Sequence, residues 1–315
     1  MSDDRRAQLD ARAVALLLGC CAIWGLGQVA IKLTLAEIPP LLQSAARSAG
    51  AAMLLLAWMR WRGLPIVPER ATWRGGVLAG VLFAAEFACM FSGLQFTSAS
   101  RMVVFLYTAP FVVALGMPFI ARSERLTPWQ AVGLAGAFGG VVWAFAEGFS
   151  AATTGPRQWL GDALGIAAAV LWGATTLVMR GSALARTSAE MSLLYQLVVS
   201  AVLLGLAGWG IGERWPVAPQ AATWGLLAFQ TVVITFVTYL IWFWLVRHYP
   251  ATQISVFTLL TPIFGLLAGV WLLAEPLTAR LLVALVAVCG GIWLVSTRGR
   301  RPQRPVSASA PSARA

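Results

Sequence analysis

The chain has 315 residues, of which 59% are hydrophobic and only 11% charged. A soluble domain carries roughly 25% charged residues, so the composition, with a mean hydropathy of +0.77, excludes an ordinary water-soluble fold and points to an integral membrane protein. The net charge of +11 raises nucleic acid as a partner, but the placement of the arginines argues against it.

A hydrocarbon core about 30 Å thick takes roughly 20 apolar residues per helix. Ten such segments follow in chain order, at 13–35, 41–59, 75–96, 100–121, 128–146, 162–182, 190–210, 222–246, 252–273 and 278–297. The first is preceded by a short polar tail, 1–12, and the last is followed by 298–315, rich in Arg, Pro, Ser and Ala, which reads as a disordered tail. If the N-terminus is cytoplasmic, the outer connections hold only Arg101, Arg157, Arg214 and Arg280. The inner connections and tails collect many more, among them Arg60, Arg62, Arg70, Arg74, Arg122 and Arg125. This is the positive-inside asymmetry, and it places both termini in the cytoplasm. The connections are too short for a soluble catalytic or nucleotide-binding domain. There is no Walker loop and no His-Glu-x-x-His pattern, Cys20, Cys21, Cys89 and Cys289 lack metal-ligand spacing, and no cofactor or metal is expected.

The segments repeat. Trp24-Gly25 recurs as Trp172-Gly173, Thr108-Ala109-Pro110 as Leu260-Thr261-Pro262, Glu124-Arg125-Leu126-Thr127 as Glu275-Pro276-Leu277-Thr278, and Gly139-Gly140 as Gly290-Gly291. Five segments fall in each copy, residues 13–146 and 162–297, joined by an external linker at 147–161. A unit with an odd number of spans ends on the opposite side of the membrane, so the second copy is expected upside down. Inverted repeats of this kind place a substrate site between the halves near the midplane. The expected fold is therefore all-α: ten transmembrane helices, as two inverted five-helix repeats around a central cavity.

Polar side chains at membrane depth mark the candidate site. Glu86 is the only acid in the middle of a segment. It reads as a counter-ion for a substrate ammonium or a protonatable coupling site, with a static hydrogen bond as the alternative. Phe83, Phe87 and Met90 share its helical face. Trp24 and Trp172 sit mid-segment in matching positions, near Gln28 and Thr176, where they either line a site or pack. Tyr107 and Tyr239 supply hydroxyls at a similar level. Pro110 and Pro262 interrupt two matched segments, by a simple kink or as gating elements of the cavity lining. Arg47, about two turns inside its segment, is read as pairing with another span, with a substrate carboxylate as the alternative. Lys32 and Arg180 are expected to snorkel to opposite interfaces.

Together the two Trp-Gly segments, the mid-segment Thr-Pro elements, the Glu-x-Leu-Thr turns and the late Gly-Gly resemble the EamA type of the drug/metabolite transporter superfamily, over about residues 13–297. The resemblance implies a basket-like bundle and transport of small metabolites, often amino acids. The chain does not resemble the sugar-phosphate exchangers, which hold phosphate with several cations. It also lacks the first-span acid of the four-span multidrug relatives. The reading is a secondary transporter of the bacterial inner membrane that exports amino acids or similar small metabolites by alternating access, with the lipid bilayer and a small molecule as partners and no nucleic acid. A drug or nucleobase exporter of the same fold, an intramembrane enzyme and a channel are the alternatives; the single His and single central acid argue against the enzyme.

Overall fold

A computed structural model describes residues 8–97, 99–121, 125–144, 146, 155–273 and 279–297. The tail at 298–315, most of the linker at 147–161, and Glu124, Glu275, Pro276, Leu277 and Thr278 of the turn motifs lie outside the described residues, as does the side chain of Gln28. The described residues are helical, with no strand among them. In chain order the helices are α1 (Ala11–Thr34), α2 (Pro40–Trp61), α3 (Trp73–Gly93), α4 (Ala99–Leu106), α5 (Ala109–Ile120), α6 (Pro128–Ala144), α7 (Gln158–Gly181), α8 (Ala189–Gly210), α9 (Ala221–His248), α10 (Ala251–Phe257), α11 (Leu260–Leu273) and α12 (Ala279–Thr297). Five stretches, α1, Arg70–Gly93, α7, α8 and α9, are long and apolar enough to cross a membrane.

Local chemistry sets the helix ends. Asp10 caps α1, its carboxylate accepting from the Ala13 N–H at 2.8 Å, and the Ser188 hydroxyl caps α8 by accepting from the Met191 N–H at 3.1 Å. Helix α2 begins at Pro40, which has no N–H to leave unpaired. Its next two amides donate to Glu213, at 3.2 Å from Leu41 and 2.9 Å from Leu42. Helices α2 and α8 stop in the same way. Gly63 (φ 63°) and Gly212 (φ 85°) take the left-handed conformation. In each case the next amide reaches back to close the last turn, Leu64 N–H to Met59 at 2.9 Å and Glu213 N–H to Gly208 at 2.9 Å. These are two copies of one Schellman stop, at matching positions of the repeat.

Two of the expected spans are broken. The segment at 100–121 is α4 and α5, interrupted at Tyr107–Thr108, and that at 252–273 is α10 and α11, interrupted at Thr258–Leu259. Pro110 and Pro262 therefore stand in the first turns of restarted helices, where a missing N–H costs little. The breaks are hydrogen-bonded from within. Thr108 Oγ1 donates to the Phe105 carbonyl at 2.7 Å, and Thr258 Oγ1 to the Ser255 carbonyl at 2.6 Å. Within α9, residues Gln230–Thr238 form a π-helical stretch, an irregularity frequent at functional sites.

Packing follows the repeat. Helix α1 lies on α11, where the Gly25 backbone meets Thr261 and Gly265; α7 lies on α5, where Gly173 meets Ala109 and Val112. Two further contacts join equivalent helices. In one, Leu41 and Ala45 of α2 face Gly208 and Gly205 of α8. In the other, Gln130 and Gly133 of α6 face Val295 and Gly291 of α12. Residue numbers rise on one helix as they fall on the other, so both pairs run antiparallel.

The Gly25 contact is made on backbone, which has little freedom to give. An added Cβ there would meet Gly265 N at 2.8 Å and Thr261 O at 2.9 Å, whereas at Gly19 on the same helix nothing lies within 4 Å. Overpacking of this kind costs about 1–3 kcal/mol. Gly25→Ala should therefore lower the melting temperature of the purified protein by several degrees while Gly19→Ala leaves it unchanged or raises it. Equal melting temperatures for the two variants would show that the α1–α11 contact yields easily.

Candidate functional site

The close approach of Gly25 to α11 turns the preceding residue, Trp24, toward the middle of the bundle, and Gly173 on α5 does the same for Trp172. Between them lies a cavity partly open to solvent, in the concave, largely apolar style of small-molecule sites. Both halves build its wall. Helix α1 supplies Trp24, Gly27 and Ile31; α2, Arg47; α3, Phe83, Glu86, Phe87 and Met90; and the end of α4, Leu106 and Tyr107. Helix α7 supplies Trp172, Thr175 and Thr176; α8, Gln196; and α9, Ile234, Tyr239, Trp242 and Phe243. On α1, α3 and α7 the lining residues recur at three- and four-residue spacing, one face of an α-helix; on α9 the step from Ile234 to Tyr239 is five, across the π-helical stretch.

Of the ten residues singled out for a substrate, nine meet in this wall: Trp24, Phe83, Glu86, Phe87, Met90, Tyr107, Trp172, Thr176 and Tyr239. The side chain of the tenth, Gln28, is not described. Pro110 and Pro262 are not in the wall; they lie next to it, beyond the helix breaks.

Much of the wall is aromatic, and the rings hold one another edge to face. Trp24 packs on Tyr239 at 6.0 Å and on Trp242 at 5.5 Å, Tyr107 on Trp172 at 5.7 Å, and Phe83 on Phe87 at 4.7 Å and Tyr239 at 5.9 Å. Such pairs add about 0.5–1.5 kcal/mol each beyond burial. The Trp24 indole N–H donates to Thr238 Oγ1 at 2.6 Å, and Thr238 in turn donates to the Ile234 carbonyl at 2.5 Å. The π-helical stretch therefore fixes the orientation of Trp24.

Two charged side chains share this wall. Arg47 is fully buried and meets another span, α3, through ring faces and without an ion pair. Its guanidinium stacks on the Phe87 ring at 4.2 Å and on Phe91 at 5.2 Å. Nε, Nη1 and Nη2 all lack a hydrogen-bond partner. The Tyr239 hydroxyl lies at the edge of hydrogen-bonding reach and the Glu86 carboxylate acts on it electrostatically, without a bond of good geometry to either. Glu86 is 6% exposed and accepts no hydrogen bond from the described residues.

Arg180 does not snorkel. It is buried at the end of α7 and donates from Nη1 to the Val246 carbonyl at 3.1 Å, one of the last-turn carbonyls of α9 that has no partner within its own helix. Lys32 is exposed, as expected. Sequence reasoning passed over Trp242, Gln196 and Thr175. Trp242 carried a signal, one turn from Tyr239 on the same face. So did Gln196: the offset from Gly63 to Gly212 is the offset from Arg47 to Gln196, so the two are counterparts. The Gln196 Oε1 is buried without a partner.

A polyhelical bundle with membrane-length apolar helices and an aromatic central cavity is the frame of a membrane transporter. The profile of the EamA-like transporter family matches the chain twice, over residues 11–146 and 159–297, and the chain belongs to that family, within the drug/metabolite transporter superfamily. Among curated proteins it is similar to the uncharacterized transporter YoaV of Bacillus subtilis (strain 168), 25% identical over 89% of this chain and 96% of that one. It is also similar to a probable amino-acid metabolite efflux pump of Salmonella typhimurium, 27% identical over 89% and 93%. A solved crystal structure superposes with a TM-score of 0.79, at 18% identity, over 91% of this chain and 97% of the other, a likeness of fold alone.

The Trp24–Thr238 bond is open to direct test. Thr238→Val keeps the shape and leaves a buried indole N–H without an acceptor, a loss of about 1–3 kcal/mol. The variant should melt several degrees lower, and Thr238→Ser should recover most of the difference. Thermal unfolding followed by intrinsic fluorescence reads both; a Val variant as stable as the parent would show that Trp24 is held by ring packing alone.

Proposed function

We propose that this transporter is a secondary exporter of amino acids or similar small metabolites in the bacterial inner membrane, working by alternating access through the aromatic cavity. The observation that carries the reading is the cavity itself, walled by both halves of a repeat and holding a carboxylate and a guanidinium amid rings. The Salmonella relative's name as an amino-acid metabolite efflux pump agrees with it. Ten spans form two inverted five-helix repeats with both termini in the cytoplasm. The antiparallel packing of equivalent helices, α2 on α8 and α6 on α12, supports the inversion, because two copies of one unit meet that way only when one is turned over. The arginine asymmetry supports the orientation. Reporter fusions at Ser150 and at the C-terminus should then report the outside and the cytoplasm respectively; the reverse result for either one refutes the topology.

The matched breaks at 107–108 and 258–259 act as joints. They leave α4 and α10 free to tilt against α5 and α11 without breaking a continuous ladder. Pro110→Ala or Pro262→Ala returns a backbone donor to the restart and favours a continuous helix, so transport should fall while the yield of folded protein stays near that of the parent. Loss of folded protein with full activity per surviving molecule would remove the prolines from the mechanism. Protein in liposomes, challenged with radiolabelled amino acids, nucleobases and cationic drugs, should give saturable uptake and counterflow with the amino acids. Preference for nucleobases or drugs would reassign the substrate, and unsaturable flux would make the protein a channel.

A further inference from the structure

We infer that Arg47 and Glu86 form a two-point clamp for the zwitterionic end of an α-amino acid, Arg47 taking the carboxylate and Glu86 the ammonium, with an apolar or aromatic side chain lodged among the rings. The inference rests on the transport reading above and assigns the chemistry of its site.

The argument begins with Arg47. A guanidinium has two flat faces and a rim of five N–H donors. Here the Phe87 ring covers one face at 4.2 Å, and stacking leaves the rim for hydrogen bonds. Nevertheless none of the three nitrogens has an acceptor in good geometry, the Tyr239 hydroxyl being the only group near reach among the described residues, and the residue has no exposure to solvent. A buried charge without hydrogen bonds is costly, and an arginine that served only to hold helices together would be expected to have an acceptor. The rim matches a carboxylate, which it binds through two parallel bonds. Glu86 belongs to the same wall and follows the same logic with the sign reversed. It has no donor among the described residues, and no ion pair joins it to Arg47. The two charges act on each other without forming an ion pair, so each keeps its charge for a ligand that carries both opposite charges.

The rest of the wall sets what that ligand carries. Phe83, Phe87, Trp24, Trp172, Trp242 and Tyr239 offer ring faces and edges and no further charge. The two-fold counterpart of Arg47 is the neutral Gln196, so the carboxylate has one charged position available and the ligand one orientation. The guanidinium is shut off from solvent in this conformation, between Phe87 and Tyr239. A carboxylate reaches it only as those rings move, which links occupancy of the clamp to rearrangement of α3 against α9.

The test uses the full-length protein in lipid nanodiscs, with equilibrium binding of phenylalanine, phenethylamine (ammonium only) and 3-phenylpropionate (carboxylate only), and the leucine series alongside. A hydrogen-bonded charge contributes about tenfold to a hundredfold in affinity. The parent should bind phenylalanine or leucine at least about tenfold more tightly than either one-ended analogue. Arg47→Gln should weaken the amino acid by that factor and leave phenethylamine within about twofold, which also reports that the variant is folded. Arg47→Lys should recover only part of the loss, because it restores the charge without the fork. Glu86→Gln should show the mirror pattern, weakening the amino acid and sparing 3-phenylpropionate. Equal weakening of the amino acid and phenethylamine by Arg47→Gln, or none of either, overturns the clamp and leaves the transport reading standing. A parent protein that takes neither amino acid but carries nucleobases or drugs overturns that reading as well.

Discussion

Hydrocarbon offers a backbone nothing to bond to, and this single restriction shapes every irregular feature of the protein. A helix may be interrupted at membrane depth only where the freed groups find partners inside the protein or face a cavity. The two breaks meet that condition with threonine hydroxyls, Thr108 on Phe105 and Thr258 on Ser255, and with prolines placed where no donor is needed. The π-helical stretch meets it in part by turning side chains into struts. Gln230 donates to Thr34 Oγ1 at 2.9 Å and accepts from Gln43 Nε2 at 3.0 Å, joining α1, α2 and α9 in one buried polar layer. The same stretch ends at Thr238, which orients Trp24. The irregular segments thus also fix the geometry of the cavity.

The second consequence concerns association. Lipid tails are as apolar as leucine, so helices gain little by burying apolar side chains and hold together through close contact and hydrogen bonds. Gly25 and Gly173 bring backbones together at equivalent places, and each brings a tryptophan into the wall beside it. Glu213 ties the start of α2 to the end of α8, and Asp162 ties α7 to the α3–α4 connection through Thr97 at 2.7 Å and to the first turn of α4 through Arg101 at 2.5 Å. These polar ties sit at helix ends, whereas the middle of the bundle is held by small residues and rings. The middle can therefore deform at less cost than the ends.

Much of this was legible in the sequence, because the bilayer imposes simple rules on length and polarity. The Trp-Gly doublets, the mid-segment acid and the aromatic stripe around it identify a core of the cavity wall, since a residue that is costly in lipid turns inward. The interruptions of α4–α5 and α10–α11 were visible only as prolines; that each is a full restart depends on threonine side chains competing for backbone carbonyls, which a hydropathy profile does not register. Arg180 was misjudged for a related reason. Its length permits snorkelling, but the carbonyl of Val246 is within reach and takes a hydrogen bond from Nη1 inside the protein. Arg47 was expected to pair with another span; its contact with α3 is through the faces of two phenylalanines, a kind of partner that the sequence does not single out.

The repeat gives the scaffold near-symmetry, and the cavity departs from it. Trp24 and Trp172 are counterparts, as are Gly25 and Gly173, Gly63 and Gly212. Such pairs give the two halves similar packing, and on the proposed inverted arrangement a conformation open to one side would have a mirror of comparable energy open to the other. Arg47 has Gln196 as its counterpart, so the charge that orients a ligand occurs once. A frame that treats both sides of the membrane alike, carrying a wall that does not, separates the two requirements of carrying a polar solute: freedom to change sides, and one fixed way of holding the cargo. Because Arg47 is enclosed by rings from α3 and α9, holding the cargo and moving the frame would involve the same side chains.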